Sequence, residues 1–259
     1  MSTAAQPPAP AVYYGTHPDQ VANLHLPARS GGPWPVAVLI HGGFWRHGWD
    51  RTLMTPLAHD LAKRGVAAWN IEYRRVGQSG GGWPGTFEDV AAAIDYIPTI
   101  PELDPGRVAV IGHSAGGHLA LWTAARRRLP PDAPGSNPTV TPKVAVSQAG
   151  VVDLPGTYAA DLGDGAARDL MGGGPADFPE RYAAASPTLL LPLGTRQLLV
   201  HGDRDDAAPI AQSRLYLTAA RAAGDDVDLV EVEHADHFDV IDVHHEAWAA
   251  VVTFVKGLL

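Results

Sequence analysis

The 259-residue sequence predicts an α/β fold, with a mostly parallel central sheet flanked by helices. Two observations predict it. Runs of β-branched and apolar residues alternate with amphipathic stretches of helical length, which implies βαβ units. Several of those runs, such as "VAVLIHGG" (36–43), are continuously apolar and end in glycine, as strands buried on both faces do. The composition agrees: 46% of residues are hydrophobic and 18% charged, enough for a sizeable core and too apolar for a disordered chain.

The elements follow in order. "MSTAAQPPAP" has neither the basic start nor the apolar middle of a signal peptide, so residues 1–11 are expected to form a disordered lead-in to an α/β domain over 12–259. "VANLHLP" (21–27) alternates and reads as an edge strand, and "VAVLIHGG" as a buried one. "LMTPLAHDLAKRG" (53–65) reads as a helix stopped by Gly65, with Pro56 in its first turn. "VAAWNIEYR" (66–74) is a strand, and "TFEDVAAAIDYI" (86–97) a helix ended by Pro98. "RVAVIG" (107–112) and "AGGHLALWTAARRR" (115–128) form a strand and a helix, with the arginines against the helix's carbonyl end. "LPPDAPGSNPTVTP" (129–142) is a surface loop. Strands are predicted at 143–150, 196–202 and 227–233, and helices at 208–224 and 244–258. Residues 151–187 break the alternation and read as a small cap over the sheet's C-terminal edge. The loop "RRVGQSGGGWPG" (74–85) reads as a flexible rim; it lacks the spacing of a phosphate-binding loop.

Composition also excludes function classes. The net charge of −9, with no basic cluster beyond "RRR", argues against nucleic acid. No apolar run is long enough for a bilayer, so no membrane partner is expected. The absence of cysteine rules out disulfides, a thiol nucleophile and a thiolate metal site, and fits a cytoplasmic location.

"VAVIGHSAGGHLALW" (108–122) carries the chemistry. A strand turns into a helix through Gly-His-Ser-Ala-Gly, the context of a nucleophile elbow, which leaves Ser114 Oγ exposed above the sheet. A serine hydroxyl needs a base, and the base an orienting carboxylate. In this architecture the order is serine, acid, histidine. "LLVHGDRDDAAP" (198–209) and "EHADHFDVID" (233–242) lie after the appropriate strands. Asp205 is assigned as the acid and His237 as the base, with Asp206 and Asp203 as rival acids and His234 as rival base. The turn "HGGFW" (41–45) suits an oxyanion hole, because glycines let backbone N–H groups approach a developing O⁻. The N–H groups of Gly43, Phe44 and Ala115 are assigned to it, with His41 orienting the turn.

With these motifs in this order, the chain resembles the α/β-hydrolase superfamily over nearly its whole length. "HGGFW", "GHSAGGHLALW", "HGDRDDAAP" and "DHFDVID" resemble the kynurenine formamidases and related small carboxylesterases. Aligned on the pattern His-Gly-x-x-Asp-x-x-Val-Pro, the acid falls at Asp205, with Ala208 in place of valine; "DHF" puts the histidine at His237. The resemblance implies hydrolysis of a small ester or amide through an acyl-enzyme, with no cofactor.

Among the twelve histidines, "HADH" (234–237) and "HH" (244–245) are ligands by type, but no ligand set stands out and no metal is expected. His118 reads as structural. Trp45, Trp83, Tyr158, Met171 and Phe178 are candidates for an apolar substrate pocket. The functional reading is a Ser-His-Asp hydrolase of small carboxylic esters. The alternatives are an arylformamidase acting on N-formylkynurenine and, from another class, a non-catalytic binding module on the same fold.

Overall fold

The computed structural model describes residues 9–258. Eight strands form one sheet: β1 (Ala11–Tyr13), β2 (Val21–His25), β3 (Trp34–Ile40), β4 (Ala67–Ile71), β5 (Leu103–His113), β6 (Val144–Gln148), β7 (Arg196–Gly202) and β8 (Val227–Val232). Their spatial order is β1-β2-β4-β3-β5-β6-β7-β8. β1–β2 and β2–β4 are antiparallel pairs, and every other pair is parallel.

Burial on both faces explains the continuous apolar strands. Along β3, Val36, Val38 and Ile40 enter one core, while Ala37 and Leu39 enter the other. β5 divides in the same way, with Val108 and Val110 on one face and Ala109 and Ile111 on the opposite face. Helices α1 (Thr55–Lys63) and α8 (Glu246–Leu258) cover the second face with Leu57, Leu61, Trp248 and Val251. Helices α2 (Gly85–Asp95), α3 (Ala115–Ala125) and α7 (Ala211–Ala222) cover the first with Phe87, Leu119 and Tyr216.

Three differences from the sequence reading have local causes. β1 is the edge strand and β2 lies inside it; a three-residue strand is too short to show alternation. The expected lead-in therefore ends before Ala11, and residues 1–8 of it lie outside the described residues. The 74–85 loop is tied down rather than loose. Arg74 holds Asp89 through Nε and Nη2 at 2.8 and 2.7 Å, and a Cβ on Gly81 would stand 1.8 Å from the Arg75 carbonyl oxygen.

Between β6 and β7 run three short helices, α4 (Leu154–Ala159), α5 (Ala166–Met171) and α6 (Pro179–Ala185). Arg46 ties this segment to the "HGGFW" turn, donating to the carbonyls of Gly163 and Asp164 and to the Asp169 carboxylate. His118 and Trp122 on α3 anchor its other end on the carbonyls of Ala185 and Ala184.

The topology brings the motifs together. β3 lies between β4 and β5, so the crossover direction reverses there, and such a switch point opens a crevice at the C-terminal strand ends. Ile40 is in register with Gly112, which sets the "HGGFW" turn beside the "GHSAG" turn. β7 and β8 run parallel to β5, so the loops carrying Asp205 and His237 emerge at the same edge.

Candidate active site

Ser114 is the single residue between β5 and α3, with φ 56° and ψ −121°. A side chain rarely adopts this conformation, and the surroundings require it. A Cβ on Gly112 would stand 1.9 Å from the Gly116 carbonyl oxygen, and one on Gly116 would stand 2.1 Å from that of Ile40. Any bulk there would push strand and helix apart. The Ser114 N–H donates to Gln148 O at 2.8 Å, while its hydroxyl has no hydrogen-bond partner among the described residues.

The neighbouring turn reverses through three residues of positive φ: Gly43 at 111°, Phe44 at 50° and Trp45 at 57°. It lies hard against the serine, since a Cβ on Gly42 would stand 2.9 Å from Ser114 Cβ. Among the described residues, the N–H groups of Gly43, Phe44 and Ala115 meet no acceptor. His41 braces the turn. Its Nδ1 lies 2.7 Å from Gly42 O and its Nε2 2.7 Å from Glu72 Oε1, both ring nitrogens thus facing acceptors. Tyr73 donates to the His41 carbonyl and stacks on its ring. Burial would raise the Glu72 carboxyl, but the bonds to His41 and the charge of Arg75 outweigh it and leave it lowered.

His237 Nδ1–H donates to Asp205 Oδ2 at 2.7 Å. The Asp205 side chain is shut off from solvent and also accepts from the N–H groups of Ala207 and Ala208 at 2.9 and 2.8 Å. Burial opposes the charge on Asp205; hydrogen bonds from His201 and His237 overcome that and hold the carboxyl well below its usual range. His237 is fixed from the elbow side as well. His113, which precedes Ser114, donates from Nε2 to the His237 carbonyl at 2.8 Å, with ring centroids 4.6 Å apart. Burial first, and His237 second, push His113 down to about 3, so it is neutral.

The rivals do not converge here. Asp206 is exposed, Asp203 Oδ1 caps the His234 N–H, and the His234 ring meets Arg204 on the surface. Of the proposed pocket residues, Trp45 and Met171 belong to the core: both have no exposed surface, and Trp45 is packed edge-on against His118. Trp83 and Phe178 are half-buried and Tyr158 is exposed. Among the described residues, no group of three or more His, Cys, Asp or Glu side chains could hold a metal ion, and no helix is long and apolar enough to cross a membrane.

Sequence reasoning missed His201 as an individual residue. It is fully buried, its Nε2–H donates to Ala208 O at 2.8 Å, and the same nitrogen faces Asp205 Oδ2 at 3.2 Å. Its Nδ1 accepts from Ser213 Oγ at 2.8 Å. The signal was available: His201 and Asp205 flank one tight loop four residues apart.

Residues 22–219 match the BD-FAE family. The chain belongs to that family. The chain is similar to the esterase LipQ of Mycobacterium tuberculosis, at 30% identity over 217 residues, covering 80% of this chain and 51% of LipQ. The chain thus spans about half the length of LipQ, and 60% of the length of the esterase LipC of the same organism, to which it is 28% identical over 89% of its own length. A truncated carbohydrate esterase from gut microbiota shares the fold end to end, with a TM-score of 0.83, 20% identity and 98% coverage of both chains. These likenesses place the BD-FAE chain in the α/β-hydrolase superfamily. The narrower formamidase resemblance rests on its four motifs alone.

Proposed function

We propose that the chain is a serine hydrolase of small carboxylic esters, with Ser114, His237 and Asp205 as its catalytic triad. One observation carries this reading: a serine held at positive φ lies against a turn whose Gly43 and Phe44 N–H groups meet no acceptor among the described residues, and His113 before it bonds the carbonyl of a histidine paired with a buried carboxylate. The esterase names of LipQ and LipC support it.

His237 takes the Ser114 proton as Oγ attacks the ester carbonyl, and the Asp205 carboxylate steadies the imidazolium. The carbonyl oxygen becomes an oxyanion and gathers the N–H groups of Gly43, Phe44 and Ala115; one such donor is worth about 10²–10³ in rate. His237 returns the proton to the leaving alcohol. Water then attacks the acyl-enzyme by the same route and releases the acid. The segment 151–187 acts as the cap.

The test is turnover of p-nitrophenyl acetate beside N-formyl-L-kynurenine, with Ser114→Ala as the blank. The expected result is acetate hydrolysis that the substitution abolishes. No turnover by the folded protein, or equal turnover by Ser114→Ala, overturns the reading. A kcat/KM for the formamide near ~10⁴ M⁻¹s⁻¹ or above, with little acetate turnover, would replace the ester by the formamide.

A further inference from the structure

Two large aromatic side chains beside the site are left in solvent. Trp49 is 47% exposed and Phe238 46%, whereas Trp45, Trp69, Trp122 and Trp248 are buried. They stack on one another, with centroids 5.8 Å apart and planes 27° from parallel. Leaving this much apolar area in water is unfavourable, so the pair's place in the fold matters.

Each ring belongs to one half of the site. Trp49 lies against Gly43, where a Cβ would stand 2.6 Å from the Trp49 Cβ. Phe238 follows His237 in the chain and meets its ring edge-on at 5.4 Å. It also lies 5.7 Å from the ring of His113, next to Ser114. The stacked pair therefore bridges the oxyanion turn and the histidine loop. The Arg75 guanidinium donates to the Trp49 carbonyl and is itself bound to Asp19 and Glu72, which fixes the backbone beneath the indole.

The chemistry assigns a side to this platform. The leaving alcohol takes its proton from His237, so its oxygen must come within hydrogen-bond reach of that ring. The part of the substrate next to Phe238 and Trp49 is then the alcohol rather than the acyl group. We propose that Trp49 and Phe238 form a leaving-group subsite that selects esters of alcohols bearing a flat ring. Stacking on the free aromatic surface supplies the preference, through area removed from water and the offset geometry that aromatic pairs adopt. This inference rests on the esterase reading.

The experiment compares kcat/KM for benzyl acetate and 2-naphthylmethyl acetate with that for n-butyl acetate. All three release alkyl-type alcohols of similar basicity and share one acyl group, so the ratio reports the subsite. The wild type is expected to prefer the ring-bearing esters by about tenfold. Trp49→Ala and Phe238→Ala are expected to bring the ratio towards one, and Trp49→Phe to restore part of it. Because the ratio is taken within each variant, general damage to the site cancels. A second readout needs no turnover: 2-naphthylmethanol should bind Ser114→Ala and quench its tryptophan fluorescence, and Trp49→Phe in that background should weaken both. A wild-type ratio near one, or a ratio untouched by Trp49→Ala, overturns the subsite while leaving the esterase reading intact. Hydrolysis of none of the three esters, with no fluorescence change, overturns both.

Discussion

Replacing Ser114 by glycine is expected to stabilise the protein while removing the proposed nucleophile. The backbone at Ser114 has φ 56° and ψ −121°, a region that a residue with a Cβ occupies at a cost of about 1–3 kcal/mol. Glycine adopts it freely, but gives back roughly 0.5–1 kcal/mol through the extra freedom of its unfolded chain. The net gain is centred on about 1 kcal/mol. Unfolding entropy near 2.1 cal/mol/K per residue, over 259 residues, gives about 0.5 kcal/mol/K, so the gain raises Tm by about 2 °C. Ser114→Ala is the control, because it loses the hydroxyl and keeps the Cβ. The assay is calorimetry of wild type, Ser114→Ala and Ser114→Gly side by side. A Tm for Ser114→Gly at or below that of Ser114→Ala would refute the claim that the elbow stores strain.

Three further predictions follow from the buried charges. Asp205→Asn is expected to lower kcat/KM for p-nitrophenyl acetate by about 10³–10⁴, while Asp206→Asn, at an exposed carboxylate, changes it little; equal losses would relocate the acid. Glu72→Gln leaves His41 and Arg75 beside a neutral amide in a buried place, at a cost of about 3 kcal/mol or about 6 °C in Tm, and an unchanged Tm contradicts this. Acid should destabilise the fold through its buried histidines. His113 is lowered to about 3 and His118 to about 4, both first by burial, against roughly 6.5 when unfolded. Below about pH 6.5 the unfolded chain binds protons that the folded chain refuses, so stability falls as pH drops towards 4, by about 2 kcal/mol per histidine at pH 5. His118→Asn should flatten the slope of stability against pH between 4 and 6, and an unaltered slope would show that His118 titrates normally in the fold.

Much of this was legible in the sequence because the parallel strands are buried on both faces. β3 and β5 appear as unbroken apolar runs, and the turns after them carry glycines that steric contact demands. The order of β3, β5, β7 and β8 then brings Ser114, Asp205, His237 and the "HGGFW" turn to one edge. Short elements were not legible. α4, α5 and α6 have six or seven residues each, too few for a helical period to stand out, and β1 has three. Side-chain partners were harder still. No local pattern tells that Glu72, next to a strand end, reaches His41. The pocket candidates were the least legible. Trp45 and Met171 lie in the core, whereas Trp49, four residues further on, stands open to solvent beside the site.

The most direct test of the account is covalent labelling of Ser114. The folded protein is treated with a fluorophosphonate, and the adduct is located by mass spectrometry of the intact chain and its peptides. The account predicts one adduct per chain, on the peptide carrying Ser114, absent from Ser114→Ala and formed slowly by Asp205→Asn. No adduct on the folded wild type, or one that persists in Ser114→Ala, would contradict it.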